Sequence, residues 1–162
     1  MDSPTIRYFL VLVLAVHGTF GANILISSLQ GEGSHFVAGA AIGEGLVQRG
    51  HNVTCLIGRA YEEKASDPKY ANLSFEIFDH HRKTVQEIRD FWTNFNTLAF
   101  IDQDEQILLL FRMISEVLGE DCEGILMNSA LMERLQTIDA IVVDISWQCG
   151  TFVKMILERD FN

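Results

Sequence analysis

Two apolar segments flanking an amphipathic helix constrain the fold of this chain more than any other feature. We predict strands at residues 23–29 and 52–57 and, between them, a helix at residues 35–49 that ends before Gly50. Glycine commonly occupies the position after a helix end. Two strands joined by one helix within about 35 residues form the unit of a parallel sheet with a right-handed crossover.

The rest of the chain continues this alternation. Residues 73–78 alternate polar and apolar side chains and predict a third strand, and residues 139–144 predict a fourth that ends in a carboxylate. Residues 80–134 have a helical pattern, residues 147–159 predict a further helix, and residues 59–72 are expected to form a loop. The pattern predicts an α/β domain, with helices on both faces of an open parallel sheet.

Composition limits the classes of function. The chain has 162 residues, of which 48% are hydrophobic, enough for one domain with a real core. Its formal net charge is −10, and its 12 Lys and Arg residues are not clustered, which argues against a basic nucleic-acid-binding face. Any bound phosphate must be held by backbone N–H groups, by a few charged side chains or by another domain.

The first 21 residues are typical of a signal peptide. Arg7 precedes an apolar run at residues 8–16, and small residues follow up to Gly21. A membrane-spanning helix needs roughly 20 apolar residues, so this run is too short to span. We expect residues 1–21 to direct the chain into the secretory pathway and residues 22–162 to form the domain. The alternative is an uncleaved buried helix.

Two N-glycosylation sequons and the cysteine content are informative because the chain is expected to be secreted. Asn72 lies in a predicted loop and is a better acceptor than Asn52, which starts a predicted strand. The chain has three cysteines, an odd number, and they are widely spaced without a CxxC pair. This pattern argues against a disulfide scaffold and against a zinc site. We therefore expect buried thiols; the cysteines are Cys55, Cys122 and Cys149.

The turn after the first strand carries the strongest candidate functional side chain. His35 follows Gly31 and Gly33, whose backbone can adopt positive φ and approach a ligand. In open α/β sheets the ligand crevice lies beyond the carboxyl ends of the strands. Because His35 follows the first strand and Asp144 ends the fourth, we expect both at the same edge of the sheet.

A histidine and an aspartate at such an edge can act as a general base and its orienting partner. The carboxylate would accept a hydrogen bond from one ring nitrogen, leaving the other to take a proton from a bound hydroxyl. Position alone equally allows a capping or loop role for His35 and a helix-capping role for Asp144.

Two other interpretations fit the sequence less well. Gly31 and Gly33 look like the start of a dinucleotide-binding GxGxxG motif, but Phe36 replaces the third glycine and no carboxylate ends the second strand. We therefore expect no nicotinamide cofactor. His80 and His81 precede a predicted helix, where a solvated loop pair is more typical than a pocket lining.

In combination, these segments resemble a known family. Residues 33–36 (GSHF) and 46–53 (LVQRGHNV) are similar to the G-S-H-[WF]…L-x-x-R-G-H-x-V opening of animal UDP-glycosyltransferases of the UDP-glucuronosyltransferase type. Residues 122–144 resemble the stretch that leads to the family's second catalytic residue. The resemblance brackets nearly the whole predicted domain, while residues 80–119, the family's variable acceptor-binding region, align loosely.

The resemblance implies the N-terminal, Rossmann-like half of a GT-B fold. His35 matches the family's catalytic base, and Asp144 matches the aspartate that pairs with it. The implied reaction is an inverting transfer of glucuronic acid or glucose from a UDP-sugar to a hydroxyl of a small lipophilic acceptor, with no cofactor and no metal. Candidate acceptor contacts are Ser34, Phe36, Phe91 and Trp92, although aromatic residues at the helical spacing of Phe91 and Trp92 are more often plain core.

The sequence departs from the family pattern in two ways. Residues 145–150 (ISWQCG) lack the proline that the family usually has there, and the chain stops at Asn162 without the donor-binding signature and membrane anchor. The resemblance therefore implies a truncated form in the endoplasmic reticulum lumen that is inactive by itself. The alternative is a secreted, non-catalytic lipophile-binding or regulatory module that pairs with full-length relatives.

Overall fold

A parallel four-stranded sheet organises the protein. A computed structural model describes residues 21–29, 31, 33–98 and 104–159. All strand pairs in the sheet are parallel, and their order is β3-β2-β1-β4. The strands are β1 (Asn23–Ser27), β2 (Asn52–Gly58), β3 (Ser74–Phe78) and β4 (Ala140–Val143). The predicted α/β class with a parallel sheet is confirmed.

Within the described residues, five α-helices flank this sheet. They are α1 (Gly33–Val47), α2 (Val85–Leu98), α3 (Asp104–Leu126), α4 (Ser129–Leu135) and α5 (Cys149–Arg159). The prediction of an irregular loop at residues 59–72 was wrong, since two 3₁₀ helices form there, Arg59–Ser66 and Pro68–Tyr70. The second begins because the Asp67 carboxylate accepts a hydrogen bond from the Lys69 N–H while Pro68 supplies a helix-compatible φ. Such short helices leave no apolar period in the sequence.

Apolar side chains form one layer on each face of the sheet. Successive residues of a strand point to opposite faces. On β1, Ile24 and Ile26 therefore pack in one layer with Phe36 of α1, whereas Leu25 packs in the other layer with Trp92 and other residues of the helices that follow β3. Helices thus cover both faces, as predicted.

The expectation of three buried thiols was wrong for two of the cysteines. Cys122 of α3 and Cys149 of α5 form a disulfide, with their Cα atoms 5.5 Å apart. Cys55 is a buried thiol, as expected, and its burial, with a contribution from Glu44, raises its pKa to about 12. The disulfide could not be inferred from spacing because it depends on α3 and α5 meeting in the fold.

The predicted signal peptide lies, apart from Gly21, outside the described residues. Both sequon asparagines are exposed: the Asn52 amide donates a hydrogen bond to Asn23, and the Asn72 amide donates one to Glu44. Signal cleavage and glycosylation stay predictions. Within the ranges that the structure describes, no helix combines the length and apolar character needed to cross a membrane.

Candidate active site

The turn from β1 to α1 places His35 at the carboxyl edge of the sheet. Gly31 and Gly33 have φ values of +99° and +58°, a backbone region that disfavours other residues. A Cβ atom on Gly31 would also lie 2.9 Å from Cβ of Tyr61. The two glycines therefore allow α1 to begin immediately after the turn, with His35 in its first turn.

The connection from β4 to α5 places Asp144 beside the end of β1. The Asp144 N–H donates to the Ser27 carbonyl at 3.0 Å, and the Asp144 carbonyl accepts from the Trp147 N–H at 3.0 Å. Trp147 is buried and packs against Phe78, which anchors the far side of the connection. Asp144 thus follows β4 instead of ending it, and α5 begins two residues later than predicted, at Cys149.

The structure brings His35 and Asp144 together although 109 residues separate them in sequence. His35 Nδ1 lies 2.6 Å from Asp144 Oδ2, and the two side chains are 46% and 13% exposed. An ionised carboxylate only accepts hydrogen bonds, so Nδ1 carries the proton. No described residue hydrogen-bonds to Nε2, whose lone pair is therefore free to accept a proton.

Ser146 is a third member of this cluster, and the sequence reasoning missed its role. Its hydroxyl and its backbone N–H donate to Asp144 Oδ1 at 2.6 Å and 2.8 Å, and its Oγ lies 3.3 Å from His35 Nδ1. Partial burial raises the pKa of Asp144, but the Ser146 and His35 hydrogen bonds outweigh this and hold it below its ordinary value. The Asp-x-Ser spacing, typical of a side chain that folds back onto its own turn, was the available signal.

This arrangement differs from a hydrolase triad. In a Ser-His-Asp triad the serine faces Nε2 while the aspartate binds Nδ1. Here Ser146 and Asp144 both lie at Nδ1 of His35. This geometry orients His35 through Asp144 and does not place Ser146 as a nucleophile activated by Nε2.

An open groove of about 330 Å³ lies along the Asp144–Cys149 connection. It was not foreseen, and its lining is mainly apolar with Ser146 among its residues; the apolar contributors include Leu118, Ile145, Trp147 and Phe152. Its volume lies within the range of small-ligand clefts, and the groove is open to solvent.

The predicted acceptor residues occupy different environments. Ser34 is exposed next to His35, whereas Phe36 is buried edge-on against Tyr70. Trp92 is buried in the core, and half-buried Phe91 packs edge-on against it. Only Ser34 and Phe91 expose appreciable surface, and the acceptor role of all four stays a prediction.

A second histidine–aspartate pair lies inside the protein. His80 Nδ1 is 2.5 Å from Asp121 Oδ1, and the side chains are 1% and 0% exposed. Burial raises the pKa of Asp121. His80 Nε2 accepts from the Ala60 N–H, so neither ring nitrogen is open to a ligand. The expected solvated pair was therefore wrong for His80, while the neighbouring His81 is partly exposed.

Comparison with known proteins identifies the family of this chain. The sequence model of a family described as UDP-glucoronosyl and UDP-glucosyl transferase matches residues 23–161, which include both His35 and Asp144. The chain belongs to this family. The predicted family resemblance is thereby confirmed.

Individual UDP-glucuronosyltransferases are similar to this member of the family. Human UDP-glucuronosyltransferase 2A1 is 28% identical over 94% of this chain and 30% of its own length. Rat UDP-glucuronosyltransferase 2B1 is 26% identical over 98% of this chain and 31% of its own length. The chain thus spans about three tenths of the length of these relatives. No solved structure matches the chain.

Proposed function

We propose that this chain forms the acceptor-binding half of a UDP-glycosyltransferase. The enzyme transfers a sugar, glucuronic acid or glucose, from a UDP-sugar to a hydroxyl of a small lipophilic acceptor, with inversion. Family membership supports the reaction class. The observation that carries the proposal is the contact of 2.6 Å between His35 Nδ1 and Asp144, which leaves Nε2 at the sheet edge without a hydrogen-bond partner among the described residues.

In this mechanism His35 is the general base. Nε2 takes the proton of the acceptor hydroxyl while the acceptor oxygen bonds to the anomeric carbon. The bond between that carbon and the UDP oxygen breaks, and UDP leaves with the electron pair. The ionised Asp144 stabilises the imidazolium that forms and holds the ring in the productive tautomer.

The acceptor and the donor are held by different parts of the protein. The groove lined by Ser146, whose hydroxyl bonds to Asp144, supports binding of an apolar acceptor. With a net charge of −10 and few basic residues, the chain offers little to bind a diphosphate. We therefore propose that regions beyond those matched here bind most of the UDP-sugar, a co-substrate, and that this chain alone transfers no sugar.

Localisation and association follow from the same proposal. Residues 1–21 support entry into the secretory pathway and residence in the endoplasmic reticulum lumen. The α5 helix exposes Phe152 and Met155, and this apolar surface supports homo- or hetero-oligomers with related transferases.

The decisive experiment removes the proposed base. The chain is joined to the part of human UDP-glucuronosyltransferase 2A1 that it does not match, and folding is checked by cooperative unfolding. We expect His35→Ala to lower turnover of phenol and steroid acceptors by roughly 100-fold or more, because a positioned base contributes on the order of 10²–10⁴ in rate. The substitution His81→Ala is the matched control and leaves turnover unchanged.

Two outcomes would contradict the proposal. Unchanged turnover in His35→Ala would refute the base assignment. A folded parent protein that binds acceptors and transfers neither glucuronic acid nor glucose would instead favour the non-catalytic lipophile-binding module.

A further inference from the structure

We propose that Ser146 is a positioning residue that holds the Asp144 carboxylate turned toward His35. The segment that holds Ser146, residues 145–150, is also where the sequence lacks the expected proline. This inference rests on the proposed function, since it concerns the partner of the proposed base.

The hydrogen bonds around Asp144 divide its two oxygens between two partners. Oδ1 accepts both bonds from Ser146, at 2.6 Å from Oγ and 2.8 Å from the backbone N. Oδ2 is left to His35 Nδ1 at 2.6 Å. Rotation of the Asp144 carboxylate would break the Ser146 bonds and the His35 bond together. The two hydrogen-bond donors of Ser146 therefore fix the orientation of the carboxylate and, through it, of the His35 ring.

The fold fixes the position of Ser146 itself. The next residue, Trp147, is buried and its N–H donates to the Asp144 carbonyl. At the end of the connection, Cys149 is bonded to Cys122 of α3. Ile145, by contrast, is 89% exposed. Trp147 and Cys149 therefore hold in place the turn that positions Ser146.

The hydroxyl also acts on the charge of Asp144. A hydrogen bond donated to a carboxylate favours its ionised form, whereas burial disfavours it. Asp144 is only 13% exposed, so without the Ser146 hydroxyl its charge would be less stable. Because Ser146 itself is exposed, replacing it with alanine leaves no cavity, and the variant should fold.

The first experiment needs neither donor nor acceptor. The midpoint of the Asp144 carboxyl titration is measured in this chain by ¹³C NMR. We expect Ser146→Ala to raise the midpoint, and Ser146→Thr, which keeps a hydroxyl, to leave it near the wild-type value. The matched control is Ser115→Ala, because Ser115 is an exposed serine whose hydroxyl bonds to the Phe111 carbonyl on α3. An unchanged midpoint in Ser146→Ala would overturn the inference.

The second experiment measures transfer in the joined protein described above. We expect Ser146→Ala to lower kcat roughly 10-fold with KM for the acceptor unchanged, as for loss of one hydrogen bond to a charged group. Ser146→Thr should restore kcat, and Ser146→Ala should cause no further loss in an Asp144→Asn background. Full kcat in Ser146→Ala would overturn the positioning role. Absence of transfer by the parent protein, with the NMR shift present, would contradict the proposed function and leave the Ser146–Asp144 coupling standing.

Discussion

At the scale of single residues, two histidine–aspartate pairs with the same Nδ1 contact have opposite roles. His35 is 46% exposed and its Nε2 is free among the described residues, so it can exchange a proton with a ligand. His80 is buried, and its Nε2 is occupied by the Ala60 N–H. The exposure of the histidine and the partner of its Nε2 decide whether such a pair can bind a ligand. Neither can be inferred from the residue type. The buried His80–Asp121 pair is therefore expected to stabilise the fold.

We predict that His80→Ala destabilises the protein by about 3–5 kcal/mol, because it leaves the Asp121 carboxylate buried without its partner. Urea unfolding followed by circular dichroism measures this change in free energy. His81→Ala is the matched control, and we expect it to change the free energy of unfolding by less than about 0.5 kcal/mol, since surface ion pairs contribute little. Equal effects of the two substitutions would show that the inner pair stabilises nothing.

At the scale of secondary-structure elements, the site depends on two connections that leave the same edge of the sheet. The β1–α1 turn needs the positive φ of Gly31 and Gly33, and the β4–α5 connection needs anchors at Trp147 and Cys149. The disulfide joins α3 to the first residue of α5, five residues after Asp144. It therefore stabilises the fold near the site.

We predict that replacing Cys122 and Cys149 with serine lowers the free energy of unfolding by about 2–4 kcal/mol, as expected for loss of a cross-link. A reductant should lower the thermal midpoint of the wild type and leave that of the double variant unchanged. A thiol reagent should label no cysteine in the native chain and only Cys55 after unfolding, because burial keeps this thiol protonated with a pKa of about 12. Three reactive thiols in the unfolded, unreduced chain would show that the disulfide does not form.

At the scale of the whole molecule, the sheet brings residues from both ends of the sequence to one crevice. β4 pairs with β1 in parallel, so the residue after each strand lies at the same edge. The acidic composition and this apolar groove support the proposed small lipophilic acceptor over a polyanion. Its proposed location in the secretory pathway exposes the surface to glycosylation.

We predict that expression in a secretory host adds an N-linked glycan at Asn72. Asn72→Gln should then abolish the mobility shift that endoglycosidase treatment removes, while Asn52→Gln retains it. The reason is that Asn72 lies between a 3₁₀ helix and β3, whereas Asn52 is the first residue of β2. A mobility shift that persists in Asn72→Gln would contradict Asn72 as the acceptor. A chain that keeps residues 1–21 and carries no glycan would contradict the expected targeting.

The sequence by itself determined the parallel α/β fold and the edge at which His35 and Asp144 meet. Both follow from local patterns: apolar runs set the strands, glycines permit the turn, and a β-α-β unit has one favoured hand. Only the tertiary structure decided the burial of His80, the Cys122–Cys149 disulfide and the direct contact of Asp144 with His35. The first two depend on contacts across 41 and 27 residues. The Ser146 bonds have a local signal in the Asp-x-Ser spacing, but the position of Asp144 beside His35 depends on how β4 and α5 pack in the fold.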